Sequence, residues 1–136
     1  MARTLRLEIV TPESKAYSED VEMVVLPGTD GELGVYPNHV PVLTTLKPGE
    51  LRVLKDGRES SLAVGEGFAE ITGEAISVLT DMALEWTAID ESAAEAAVAR
   101  AKAAMEGDLG KEEVAAVQAS LQKALAQLNV KRRHRH

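Results

Sequence analysis

Acid–base chemistry in this chain would have to run through one imidazole. Of three histidines, two lie among the last three residues, which leaves His39. A histidine titrates near neutral pH and acts as a general base when a nucleophile and an orienting acid stand beside it. Ser60, Ser61 and Asp30 are of the right types, but no spacing ties them to His39. With no cysteine there is no thiolate nucleophile and no disulfide. No group of His, Asp and Glu has metal-ligand spacing. The Gly-x-Ser-x-Gly elbow, the Walker loop and the dinucleotide fingerprint are all missing. The expectation is a protein with no active site, cofactor or metal of its own. His39 then reads as a loop residue fixed between Pro37 and Pro41, bonded locally or touching a partner. Asp30 and Glu32 read either as solvated turn acids or as a loop contact to a partner.

The segment that positions these residues is Pro27 to Val53, PGTDGELGVYPNHVPVLTTLKPGELRV. It holds four of the five prolines, together with Gly28, Gly31, Gly34 and Gly49. Proline fixes φ and glycine permits positive φ, so this backbone bends at set points. Its apolar residues need burial, which separates it from a flexible linker. Gly34 is expected where positive φ is required, so Gly34→Val is expected to disturb the loop.

Around this segment the pattern is that of strands. Leu5, Leu7 and Ile9 alternate with polar residues at the period of a half-buried strand. Val21–Leu26 is rich in β-formers. Leu51–Leu54 and Ser60–Val64 flank Asp56-Gly57, a strong hairpin signal. Phe68–Thr72 and Ala75–Thr80 flank Gly73-Glu74 and predict a second hairpin. Many short strands with frequent turns predict an antiparallel sandwich.

Composition changes near Trp86. Residues 91–106, ESAAEAAVARAKAAME, predict a helix with Asp90 as N-cap and Gly107 as C-cap. Its inward candidates are Ala94, Ala97, Val98, Ala101 and Met105. From Lys111 a second helix carries Val114, Val117, Leu121, Ala124 and Leu128 on one seam. The fold class is therefore β + α, with domains 1–87 (sandwich) and 88–136 (antiparallel helical hairpin with a basic tail). An alanine seam buries little area, so the hairpin is held weakly while its own propensity keeps it helical.

Charge separates along the chain. Net charge is −7, yet four of the fifteen basic residues lie in the last six positions, KRRHRH. Residues 1–130 carry eleven basic against twenty-two acidic residues, a net of −11. So acidic a body argues against general nucleic-acid binding. The basic tail suits an acidic partner, or is a frayed terminus. The N-terminus MARTLRLEIV lacks the apolar region of a secretory signal, and no apolar run reaches the ~18 residues of a span. Any membrane association is expected to run through partners.

The spacing Pro27-Gly28-x-x-Gly31-x-x-Gly34-Val35-x-Pro37-x-His39-x-Pro41-x-Leu43-Thr44 resembles the signature of the epsilon subunit of bacterial F-type ATP synthases. GFAEITGEAISVLTDMA, AIDESAAEAAVARAKAAME and VQASLQKALAQLNV are similar to the family's later segments in the same order. The resemblance implies a non-catalytic central-stalk subunit that couples c-ring rotation to the catalytic sector through gamma. It implies a peripheral place at the cytoplasmic face of the bacterial inner membrane. Positions matching Glu32 and His39 face the c-ring loops and gamma respectively. The hairpin would extend toward the alpha and beta subunits and inhibit ATP hydrolysis. Arg132, Arg133 and Arg135 would then meet an acidic segment of beta. Some members bind ATP through Ile-Asp-x-x-Arg-Ala and a later arginine. Here Ile89, Asp90 and Ala94 match and Arg100 stands at the later position, but Ala93 replaces the first arginine. Asp90 and Arg100 are thus weak nucleotide candidates, since alanine cannot replace an arginine fork on phosphate. The competing class is a free-standing sandwich that binds a small ligand and co-purifies with no large partner.

Overall fold

The computed structural model describes residues 3–134. Ten strands precede two helices among them. In chain order the strands are β1 (Leu5–Val10), β2 (Lys15–Val21), β3 (Met23–Gly28), β4 (Gly31–Val35) and β5 (Val42–Leu46). They continue as β6 (Gly49–Lys55), β7 (Arg58–Val64), β8 (Gly67–Ile71), β9 (Ala75–Thr80) and β10 (Ala83–Glu85). A short 3-10 turn at Trp86–Ala88 leads into α1 (Glu91–Met105) and α2 (Lys111–His134).

The strands run in the order β10-β7-β6-β3-β5-β8-β9-β1-β2, with β4 paired to β3. Between β3 and β5 the ladder narrows to one pair, Gly28 opposite Leu46. There the sheet folds over, and its inner faces enclose one core. Alternation decides which side chains enter it. Leu5, Leu7 and Ile9 of β1, Leu51 and Val53 of β6, and Ile76 and Val78 of β9 are all buried. The expected hairpins form as β6–β7 and β8–β9. Asp56 and Gly57 turn the first with φ of 52° and 75°, the double left-handed conformation that two-residue hairpins favour. Thr72 turns the second, its Oγ1 accepting from the backbone N–H groups of Glu74 and Ala75. Every strand pairing is antiparallel except β1 with β9, where Leu7 lies opposite Ile76 in parallel register.

Asp90 caps α1 as expected, its Oδ1 accepting from Ala93 N at 3.0 Å. The helix ends through Glu106 in right-handed helical geometry rather than through a left-handed Gly107. Ala94 and Val98 pack on Ala124 and Leu128, with Ala97, Leu121 and Leu125 at the margin. Met105 departs from the expected seam and is 36% exposed. It sits at the turn end of the hairpin, where Val114 and Val117 of α2 are themselves only half-buried.

The second half of α2 buries two faces. Ala124 and Leu128 meet α1, while Val130 joins Ala63 and Ile89 against Met82, Leu84 and Trp86. One face builds the hairpin and the other seats it on the sandwich.

Candidate functional site

The Pro27–Val53 segment is rigid, but its constraints differ from those expected. Positive φ falls at Gly31, at 127°, in the turn from β3 to β4. Gly34 lies inside β4, opposite Val25, and a Cβ there would meet nothing within 4 Å. The expectation for Gly34 is therefore corrected: an exposed strand position accommodates a β-branched residue. Gly28 is the crowded glycine, since an added Cβ would come within 2.7 Å of Gly31 O.

His39 lies between β4 and β5. Its Nδ1–H donates to Val40 O at 2.7 Å, which fixes the ring locally. Asn38 beside it has φ 67°, a conformation asparagine tolerates, and its N–H donates to Gly73 O at 2.8 Å. The loop is thus pinned to the β8–β9 turn. The acid–base candidates are not assembled. Asp30 is in the β3–β4 turn, Ser60 and Ser61 are on β7, and buried Ser61 hydrogen-bonds Arg133. Glu32, on exposed β4, pairs with Arg52 of β6 at 3.3 Å. Among the described residues every buried side-chain nitrogen and oxygen has a hydrogen-bond partner.

Beside the His39 loop lies an apolar patch that the sequence reading missed. Tyr36, Val40 and Leu43 are 61%, 71% and 67% exposed, and Phe68 and Leu79 are exposed beyond them. Phe68 stands directly opposite Leu79 and, on the other side, opposite Thr45. All three therefore share the outer face of β5, β8 and β9. The signal was present: Phe68 alternates in phase with Glu70, and Leu79 in phase with Ser77. Apolar side chains on the polar phase of a strand mark a face that something else covers.

The nucleotide candidates stay apart. The Asp90 carboxylate is engaged as the helix cap. Arg100 is ten residues further along α1, roughly 15 Å at 1.5 Å per residue. It lines an open cleft of about 370 Å³ with Ala97, Ala104, Val117 and Ser120, which does not include Asp90. Ala93 is exposed on the first turn.

The basic end of α2 is neither frayed nor free. Arg132 bridges to Glu91 and Glu95 of α1, its Nη2 lying 2.9 Å from Glu95. Arg133 grips Glu50 of β6 with two nitrogens, Nε at 2.8 Å from both oxygens and Nη2 at 2.6 Å from Oε2. The same Nη2 reaches Ser61 Oγ at 3.2 Å and Glu59 at 3.3 Å. His134 stacks on Trp86 with ring centroids 4.9 Å apart. Its Nε2 lies 3.2 Å from Glu50 and 3.0 Å from Arg133 Nη2. One nitrogen cannot donate to the first and accept from the second at once, so the tautomer selects one bond. Lys131 donates to Trp86 O at 3.2 Å and lies over its ring. Burial pushes the Glu50 carboxyl up, but hydrogen bonds from Arg133, Ser61 and His134 prevail and hold it below the usual carboxylate range. The Glu50 carboxylate in turn holds the Arg133 guanidinium above its ordinary value. Arg135 lies outside the described residues.

A β-sandwich followed by a helical domain is also what the comparisons return. Residues 4–86 match the family described as ATP synthase, Delta/Epsilon chain, beta-sandwich domain. Residues 88–132 match its long alpha-helix domain. The chain is 45% identical over 127 residues to the ATP synthase epsilon chain of Laribacter hongkongensis (strain HLHK9), covering 92% of this chain and 91% of the relative. It is 42% identical over 135 residues to that of Acidithiobacillus ferridurans, covering 99% and 96%. Among solved structures it superposes on a chain of the Euglena gracilis mitochondrial ATP synthase, OSCP/F1/c-ring in rotational state 1. The TM-score is 0.77 at 20% identity, covering 93% of this chain and 79% of that one, which speaks to the fold. The chain belongs to the epsilon-chain family of the F-type ATP synthase. No helix among the described residues is long and apolar enough to cross a membrane.

Proposed function

We propose that this chain is a rotor subunit without an active site of its own, which couples c-ring rotation to the catalytic sector through gamma. Residues 1–87 form the rotor-binding domain, and residues 88–136 form a regulatory hairpin that restrains ATP hydrolysis by alpha and beta. The observation that carries this reading is the apolar patch of Tyr36, Val40, Leu43, Phe68 and Leu79 beside the pinned His39 loop. A rigid, exposed apolar face on a β-sandwich suits a stable protein interface, and gamma is its occupant on this reading. Glu32 sits on β4, away from that loop, and serves the polar loops of the c-ring. The subunit is held peripherally at the cytoplasmic face of the bacterial inner membrane.

The test is co-purification of gamma from membranes carrying Leu43→Asp with Phe68→Asp. Both side chains are exposed in the isolated chain, so folding should be unaffected. Burying two carboxylates in an apolar interface should weaken gamma binding at least about tenfold. Undiminished gamma recovery with the folded variant refutes the placement. Deletion after Asp90 should preserve gamma binding while raising ATPase activity at low proton-motive force; equal rates would remove the regulatory role.

A further inference from the structure

The hairpin's attachment to the sandwich is unevenly distributed along α2. Its polar contacts to the sandwich begin with Lys123 on Asp81 at 3.5 Å and Gln127 on Met82. They become dense only at Lys131, Arg133 and His134. At that end three kinds of interaction converge: a forked arginine–carboxylate pair, an imidazole stacked on an indole, and an ammonium on the Trp86 carbonyl. Glu50 and His134 are the shielded members, with side chains 19% and 17% exposed. A two-nitrogen grip on a partly shielded carboxylate is among the stronger polar contacts available at a surface. Beside them lies a compact apolar contact: Val130 against Ala63 and Ile89, with margins from Met82, Leu84 and Trp86.

We propose that Glu50, Ser61, Glu59 and Trp86 form a receptor on the sandwich for the end of α2, and that this clasp is the latch that keeps the hairpin docked. While it is closed, the Arg133 charge is spent on the chain's own carboxylates. Opening it frees Arg133 and exposes Glu50, Glu59 and the Trp86 face in the same step. The sandwich carboxylates thus occupy the arginine that an acidic partner would otherwise take. That functional consequence rests on the reading of the hairpin as regulatory; the latch itself belongs to this chain alone.

The test uses the isolated full-length chain, so its outcome is independent of gamma, alpha or beta. Trp86 is the sole tryptophan and lies in the latch. Its accessibility to acrylamide and the amide exchange of the last α2 turn are measured for wild type, Glu50→Gln, Arg133→Gln, Arg133→Lys and Arg132→Gln. Glu50→Gln and Arg133→Gln should raise terminal-turn exchange about tenfold and expose Trp86, with the strand spectrum unchanged. Arg133→Lys keeps the charge but loses the fork, and should fall between. Arg132 pairs with α1 rather than with the sandwich, so Arg132→Gln should leave Trp86 shielded. Unchanged exchange and quenching in both Glu50→Gln and Arg133→Gln would overturn the proposal. So would equal exposure in Arg132→Gln, which would mean that net charge rather than the clasp is what matters.

Discussion

The sandwich and the hairpin are built from the same aliphatic alphabet and held together in different ways. The sandwich core is made of Leu, Ile and Val, among them Leu7, Ile9, Leu26 and Val35 with no exposed surface. The hairpin seam relies on Ala94, Ala101 and Ala124, with Val98 and Leu128 as its largest buried members. At ~25 cal/mol per Å² of apolar surface, a leucine contributes far more than an alanine. The sandwich is therefore fixed by volume. The hairpin is helical by propensity and is placed by what its ends touch: the Asp90 cap at one end, Arg132 across to α1, Arg133 and His134 onto the sandwich. A domain fixed by volume has one arrangement. A domain placed by a few terminal contacts has a second arrangement within reach.

The contrast can be broken most sharply in the core. Leu51→Ala, at a fully buried site, should cost about 3 kcal/mol in urea unfolding and destabilise the whole chain. Leu128→Ala should instead show in helical content and in Trp86 exposure, leaving the strand transition intact. A shift of that transition by Leu128→Ala as large as Leu51→Ala produces would merge the two regions into one cooperative unit. Truncation after Thr87 should leave a cooperative β-rich transition, weakened by uncovering Ala63, Met82, Leu84 and Trp86 and by removing the Arg133 bonds to Glu50 and Ser61. An unfolded fragment by circular dichroism would contradict the separation.

A finer probe is pH. The Glu50 carboxyl lies below its ordinary value of 4.5 when docked, and release removes the Arg133 and His134 bonds that lower it. Docking stability from this group is therefore fully present above about pH 4.5 and is lost as pH falls through the lower docked value. The groups facing Glu50 are Arg133 and His134 from α2 and Ser61 from β7, with Glu59 sharing Arg133. Trp86 emission should report release below that point while the strand spectrum persists, and Glu50→Gln should abolish the response. The smallest effect expected is that of Gly34→Val, within about 0.5 kcal/mol by thermal unfolding, since the site is an open strand position. A large loss there would mean that β4 is more constrained than its geometry indicates.

What could be read in the sequence was local. Asp56-Gly57 sets its hairpin through two adjacent backbone conformations, and Asp90 caps the helix three residues away. The partners of Arg133 could not be read, because Glu50 lies 83 positions earlier and nothing around either residue refers to the other. Lys131, Arg133 and His134 were legible as charge and illegible as a docked end. The second face of α2, Ala126 and Val130, was overlooked because the seam through Leu121 and Leu128 absorbed the helical period. Phe68 and Leu79 were hidden by the opposite error. In β1 Leu5, Leu7 and Ile9 keep to one phase of the alternation, whereas in β8 and β9 apolar residues occupy both, so apolar content marks the strand without marking the face.

The parallel pairing of β1 with β9 has a consequence for how the chain is made. Of the described strands β1 is translated before the others, and it can pair with β2 as soon as Lys15–Val21 follows. Its other edge has no partner until Ala75–Thr80 has been translated. At roughly 5–20 residues per second that wait lasts roughly 4–14 seconds. Through that interval the backbone groups of Arg6–Val10 on that side have no ladder partner, and the nascent sandwich carries an open edge. The helices, translated after the strands and coiling from local contacts, arrive on a sheet that has only just shut.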